Sequence, residues 1–254
     1  MNKLSVVVIA KNEEKDIRKC LESIKWADEI VIVDDVSIDK TVEICREYTQ
    51  KIFVNDSKGS FHINKNLGLE KATGDWIFSL DADEIISSEL ADEIKEKINN
   101  PDKIGYYVPR KNYFLGKWIK GCGWWPDRII RLFKKGVTKW PLEIHDTPKI
   151  EAKDKVGTLK NALIHHTYRN LHHYFDKFNQ YTSRLAQEEY EKGVRINTGN
   201  FLMCFFVKPL YWFLRKFFIW RGFRDGFSGF FISFSSAWVI VAMYAKLWEK
   251  QKNT

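Results

Sequence analysis

Two aspartates separated by one small residue, Asp81 and Asp83, close the apolar run of the segment IFSLDADE. Carboxylates at that spacing suit a hard divalent cation shared with a diphosphate. A strand ending in them delivers them to the crevice beyond the carboxyl ends of a parallel sheet, where ligands bind in α/β folds. A second acidic pair, Asp34 and Asp35, ends another apolar run in VIVDDVSIDKT. A carboxylate there can accept hydrogen bonds from a uracil imide or a ribose hydroxyl. The competing reading is capping of a helix that starts near Lys40; we assign capping to Ser37 and Asp39 and nucleotide contact to Asp34. Asn12 and Glu13, which follow the first apolar run and its last residue Ala10, carry the same two alternatives, a cap or part of a nucleotide pocket. No glycine occurs in the first 58 residues. That argues against P-loops and dinucleotide folds, which need glycine in the first βα turn so that backbone amides can reach a phosphate.

The elements that must position these acids are readable from periodicity. Leu4 to Ala10 and Glu29 to Val33 are β-branched runs too dense for a sheet with one wet face, and they read as central parallel strands. Ile17, Cys20, Leu21 and Ile24 recur at helical spacing between them. A helix from Lys40 to Tyr48, a short strand at Ile52 to Val54, a helix around Ile63 to Lys71 and the strand Trp76 to Leu80 continue the alternation. Leu90, Ile94 and Ile98 mark an amphipathic helix ending near Asn100-Pro101. The pattern predicts an α/β fold, a mostly parallel sheet flanked by helices with right-handed crossovers. After Pro101 come strands at Ile104 to Arg110 and Arg128 to Phe133. Between them the loop FLGKWIKGCGWWPD reads as a substrate-facing flap.

With 254 residues, 44% of them hydrophobic and 29% charged, the chain can bury a proper core. Cys20, Cys45, Cys122 and Cys204 show no CxxC pairing, and Cys20 and Cys45 fall at core positions, which implies a reducing compartment and no disulfide framework. The net charge of +8 is uneven: every charged residue from Phe201 to Arg224 is basic. A basic end rich in Phe and Trp points to an anionic surface, lipid or nucleic acid.

Taken in order, SVVVIAKNEE, VDDVSIDKT, NKNLGLEKATGDW and LDADE resemble glycosyltransferase family 2, inverting enzymes of the GT-A (Rossmann-like) fold. The continuation YYVPRKNYFLGKWI, GWWPDRIIRLF and IHD is similar to a bacterial subgroup containing lipopolysaccharide core glucosyltransferases that act on heptose. The resemblance implies a nucleotide-sugar donor, with Asp34 against the uracil, Asp81 near the ribose and Asp83 on a Mn2+ or Mg2+ ion. The chain departs from the family's usual VDSGSTDGT, because Val36, Ile38 and Lys40 replace Gly, Thr and Gly, making the loop after Asp35 stiffer.

Inversion needs a base on the face opposite the leaving group. Asp127 in GWWPD is the candidate, with Glu143 and Asp146 as rivals and a salt bridge to Arg128 or Arg131 as the structural alternative. His145, between the rivals, is a tentative metal or phosphate ligand. Arg128 and Arg131, with Lys65, could hold diphosphate oxygens or an anionic acceptor. Trp118, Trp124 and Trp125 offer ring faces to sugars or a membrane-facing lip. His165-His166 and His172-His173 lack a zinc-like partner set.

The apolar positions Leu202, Phe206, Leu210, Phe213, Phe217 and Trp220, with cations between them, describe a helix lying in a membrane interface. Gly226 to Ala245 carries no charge and approaches spanning length, but serines dilute it, favouring a monotopic or helix-packing role. The expected organisation is a catalytic domain over 1–168, divided into a nucleotide-binding half (1–100) and an acceptor half (101–168). A helical, membrane-associating region covers 169–254. The whole reads as a cytoplasmic enzyme, peripheral on the inner face of the bacterial membrane, with a lipid-linked or lipopolysaccharide-core acceptor and no nucleic-acid partner. A nucleotidyltransferase and a non-catalytic sugar-nucleotide-binding module are the alternatives.

Overall fold

In the computed structural model the described residues are 2–141, 148, 150 and 152–252. The first strands form where the sequence is β-branched and uninterrupted. Strand β1 (Leu4–Ala10) is buried along its whole length, as a central strand covered on both faces must be. It pairs in parallel with β2 (Glu29–Asp34) on one side and β4 (Trp76–Asp81) on the other. Strand β3 (Ile52–Val54) extends β2, also in parallel. The connecting helices are α1 (Ile17–Glu22), α2 (Thr41–Cys45) and α3 (Phe61–Lys71). Helix α2 is shorter than the expected span from Lys40 to Tyr48.

Beyond β4 the sheet changes direction. After β5 (Glu84–Ile85) and α4 (Ser88–Asn99) come β6 (Gly105–Phe114), β7 (Lys117–Trp118), β8 (Asp127–Lys134), β9 (Val156–Thr158) and β10 (Leu163–Tyr168). The order is β3-β2-β1-β4-β8-β6-β10-β5. The β4–β8, β8–β6 and β10–β5 pairings are antiparallel. The sheet is therefore mixed rather than mostly parallel: only its first half has the crossover helices that parallel pairing demands.

Two compact units result, one of residues 1–111 and 127–165, the other of 112–126 and 166–254. In the first, two apolar layers cover the two faces of the sheet, one built on Val6, Val8, Ile32 and Phe78, the other on Val7, Val33, Ile77 and Phe133. Gly68 sets the approach of α3 to the sheet, since a Cβ there would lie 2.3 Å from Val7 Cγ1. Without that glycine α3 would stand off and withdraw Lys65 from the strand ends.

The second unit contains α5 (Leu171–Glu191), α6 (Thr198–Leu202), α7 (Lys208–Leu214) and α8 (Gly226–Lys252), with π-helical turns at Met203–Val207 and Arg215–Ile219. The loop read as a substrate-facing flap is anchored in this unit's core by Ile119 and Cys122, which are fully buried. The Asp225 carboxylate accepts the amides of Lys120 (3.2 Å) and Gly121 (2.6 Å), and the Cys122 amide donates to the Trp220 carbonyl. Its glycines permit close backbone packing: a Cβ on Gly121 would meet the Arg221 carbonyl oxygen at 2.5 Å. A stretch of α8 together with the turn before it, Gly222–Lys252, is long and apolar enough to cross a membrane.

Candidate functional site

Strands β1, β2 and β4 end together, and their last residues collect the acids singled out by sequence. Asp34 and Asp35 are both buried, but their partners differ. Asp35 is saturated: its two oxygens accept the Ser57 amide (2.7 Å), the Ser57 hydroxyl and the Lys11 ammonium. Burial pushes its pKa up, but the Ser57 and Lys11 contacts outweigh that and hold it below the ordinary carboxylate value. Asp34 accepts only the Ser37 amide at Oδ2, and its buried Oδ1 has no hydrogen-bond partner among the described residues. A buried acceptor without a donor is costly, and a base or ribose donor would satisfy it.

The neighbouring loops are stitched to each other. Asn12 donates its amide to Ser37 Oγ and accepts the Ile38 amide, and the Glu13 amide donates to Thr41 Oγ1. Asp39 accepts the amides of Thr41, the first residue of α2, and Glu14, whereas Ser37, the other residue assigned to capping, accepts the Asn12 amide rather than an amide of α2. The Ala10 carbonyl receives the Asp35 amide. Val36, where the family commonly has glycine, has φ +56°, in the left-handed region that a β-branched residue enters only with strain.

Asp81 lies between two cations, with Lys65 Nζ 2.8 Å from Oδ1 and Arg131 Nη2 2.6 Å from Oδ2. Burial works against its charge, yet Arg131 and then Lys65 hold its pKa well below the carboxylate range. Lys65 also lies 4.1 Å above the Trp140 ring, and burial lowers its pKa despite Asp81. Arg131 is 1% exposed. It reaches this site through a β-bulge: Tyr106 pairs with Leu132 and Tyr107 with Ile130, leaving Arg131 as the extra residue of β8. Its Nε and Nη1 have no partner among the described residues. Arg128, three residues earlier, is exposed.

Glu84, which the sequence offered no reason to select, is fully buried at the centre. Its Oε2 accepts the Asp81 amide (2.9 Å), while Oε1 accepts Arg131 Nη2 (2.6 Å) and Arg110 Nη1 (3.2 Å). Arg110, equally unselected, grips Asp127 Oδ2 with Nε (2.9 Å) and Nη2 (2.6 Å). Burial opposes the Arg110 charge, but Glu84 and Asp127 raise its pKa above the usual value. Cations and anions therefore alternate along Lys65, Asp81, Arg131, Glu84, Arg110 and Asp127.

Asp83 turns to a different partner. The antiparallel pairing of His165 with Glu84 brings His165 Nε2 to 3.4 Å from Asp83 Oδ2. One carboxylate and one imidazole could hold a divalent cation. Among the described residues no group of three or more His, Cys, Asp or Glu side chains encloses an ion, so ligand oxygens would complete the shell. His145, Glu143 and Asp146 lie outside the described residues. Trp124 and Trp125 belong to the second unit: Trp124 packs edge-on against Phe114, and Trp125 against Trp118.

A sequence profile described as glycosyl transferase family 2 matches residues 5–149. An uncharacterized glycosyltransferase of Rickettsia typhi is 29% identical over 98% of this chain and 88% of its own. The lipopolysaccharide core biosynthesis glycosyltransferase LpsC of Rhizobium meliloti is 28% identical over 97% of this chain and 92% of its own. Among solved structures, glucosyl-3-phosphoglycerate synthase from Mycobacterium tuberculosis, in complex with Mn2+, UDP and glucosyl-3-phosphoglycerate, superposes with TM-score 0.50. It is 16% identical over 77% of this chain and 82% of that one. Residues 1–349 of S. aureus TarS in complex with UDP give TM-score 0.50 and 20% identity over 64% of this chain. This chain spans 60% of that structure, less than two thirds of it.

Proposed function

The chain belongs to glycosyl transferase family 2, with a GT-A fold, and from that membership we propose that this glycosyltransferase moves a hexose with inversion from a UDP-sugar to a lipid-linked glycan such as lipopolysaccharide core. Transfer from a nucleotide-diphosphate sugar is the family's chemistry. The observation that carries the reading is the strand-end cluster, in which buried Asp34 has an acceptor to spare, Asp81 is fixed by two cations, and Asp83 stands beside His165.

In this mechanism Asp34 Oδ1 accepts a hydrogen bond from the base, and Asp81, kept ionised by Arg131 and Lys65, accepts one from the ribose. Asp83 and His165 would hold Mn2+ or Mg2+, which when bound would neutralise diphosphate charge and improve the leaving group. Asp127 lies across the cluster from Asp81 in the chain of charges. It takes the proton from the acceptor hydroxyl as that oxygen bonds to the anomeric carbon and the bond to the diphosphate breaks. Arg110 holds Asp127 by two hydrogen bonds to one carboxylate oxygen, Oδ2.

The acceptor assignment rests on the similarity to LpsC and on the second unit. Phe206, Leu210, Phe218, Phe227 and Phe234 are exposed there. The only acid between Lys192 and Lys246 is Asp225, which is 3% exposed. Apolar rings and cations without competing acids favour peripheral attachment to an anionic membrane on its cytoplasmic face. A lipid-linked acceptor would meet the enzyme there.

A thermal-unfolding screen of nucleotide sugars with and without Mn2+ tests the reading, because a ligand that binds the folded state raises the midpoint. A shift with UDP-sugars that depends on Mn2+ is expected. Equal shifts without the metal would overturn the metal assignment, and no shift with any UDP-sugar would overturn the donor.

A further inference from the structure

Arg110 takes no part in the mechanism above beyond its hydrogen bonds to Asp127, yet its guanidinium is held at three points. Nε and Nη2 both point at one oxygen of Asp127, at 2.9 and 2.6 Å, and Nη1 reaches Glu84 Oε1 at 3.2 Å. The Glu84 carboxylate is itself fixed by Arg131 and the Asp81 amide. Arg110 and Asp127 are direct cross-strand partners on β6 and β8, so the backbone sets their separation.

Stability alone does not explain the directionality of this arrangement. Arg131 already supplies Glu84 with a buried cation at 2.6 Å. The Arg110 and Asp127 side chains are only 20% and 29% exposed, so loss of the pair would also cost stability, which is why turnover and UDP affinity must be read separately. A planar guanidinium anchored on buried Glu84 fixes the place of the one Asp127 oxygen that two of its N–H groups grip, which a single ammonium cannot do as tightly.

We propose that Arg110 is a positioning residue for sugar transfer: anchored on buried Glu84, it aims the Asp127 carboxylate at the acceptor hydroxyl. This rests on the reading of Asp127 as the base. Misdirection of a reacting group by about 1 Å costs about 100-fold in rate, which sets the scale of the expected effect.

The test uses the full chain with Mn2+ and the UDP-sugar that the wild type turns over fastest. It reads the rate of UDP release and, separately, the affinity for UDP with Mn2+. Arg110→Ala should lower kcat about 10- to 100-fold and leave UDP affinity within about 3-fold. Arg110→Lys should recover only part of the loss. Adding Arg110→Ala to Asp127→Asn should cost nothing further, since the positioned group is already disabled. Unchanged kcat in Arg110→Ala, a multiplied loss in the double variant, or a parallel loss of UDP affinity would each overturn the proposal. An Asp127→Asn variant that works at the wild-type rate overturns the base assignment and this role with it. An inactive Asp127→Asn beside an unaffected Arg110→Ala overturns the positioning role alone. If Arg110→Ala does not fold, Arg110→Lys decides: reduced kcat with retained UDP affinity supports the role, and wild-type kcat refutes it.

Discussion

The two ends of the same three strands use acids in opposite ways. At the amino ends of β1, β2 and β4, carboxylates tie the backbone together: Asp75 accepts the Lys3 amide, Asp28 the Leu4 amide, and Glu29 the Thr73 amide and hydroxyl. Glu29 also receives Ser5 and Lys51. No buried side-chain atom among these residues lacks a partner. At the carboxyl ends, Asp34 Oδ1 and two Arg131 nitrogens are buried without one. A cavity of about 560 Å³ lies at the amino end and is lined by Lys3, Glu29, Tyr48 and Thr73. What distinguishes the carboxyl ends is the unspent hydrogen-bonding capacity of Asp34 and Arg131 among the described residues. Asp35, whose oxygens are engaged by Ser57 and Lys11, has the structural pattern of the amino-end acids, whereas Asp34 keeps an acceptor that a donor from outside the chain would satisfy.

Breaking each end separately should produce different losses. The largest effect is expected for Asp83→Ala, which should reduce metal-dependent donor turnover by about 100-fold or more with an unchanged unfolding midpoint. Retained turnover in a UDP-release assay would remove Asp83 from the chemistry. Next, Asp34→Ala should weaken UDP binding by about 10- to 100-fold, the worth of a hydrogen bond to a charged group, as measured by calorimetry. An unaltered affinity would make Asp34 as structural as Asp35.

Glu29→Gln addresses the amino end and should leave UDP release intact while lowering stability at neutral pH by about 1–2 kcal/mol. Burial pushes the Glu29 carboxyl up, but Lys51, Ser5 and Thr73 together bring it from 4.5 down to about 2. A depressed carboxylate stabilises the fold above its unfolded pKa. The gap between wild type and variant should therefore close as pH falls from 4.5 to about 2, as followed by denaturant unfolding. A gap independent of pH would show that ionisation is not the source. The smallest effect is expected for Val36→Gly. Relief of the left-handed strain, about 1–2 kcal/mol, is partly cancelled by the freer unfolded chain, leaving a gain of about 0.5–1 kcal/mol. Because Val36 is 49% exposed, little burial is lost. A destabilised variant would refute the strain argument.

The strands of the first half were legible because their periodicity is a local property. SVVVIA is buried on both faces and could only be central, and Cys20 and Cys45 fell where helical spacing placed them. The loop over 114–127, read from sequence as a substrate-facing flap, is anchored by contacts that sequence does not reveal: Gly121 lies against the Arg221 backbone and Gly123 against the Trp220 ring, far along the chain. Glu84 and Arg110 gave no signal, since a single charged residue beside a motif is indistinguishable from a solvated one until its burial is known. The His165-His166 pair was set aside for lack of local metal partners, and His165 lies beside Asp83 only through strand pairing.

What the sequence determined by itself is the set of acids at the strand ends and the family that carries them. Both depend on residue order over short stretches, where apolar periodicity and a change to Asp are enough. Which acids are saturated, which arginine is buried and which histidine stands beside Asp83 was decided by tertiary structure alone. Those properties follow from the bulge at Arg131, the β10–β5 register and the close approach of α3 at Gly68, each set by pairings between distant segments.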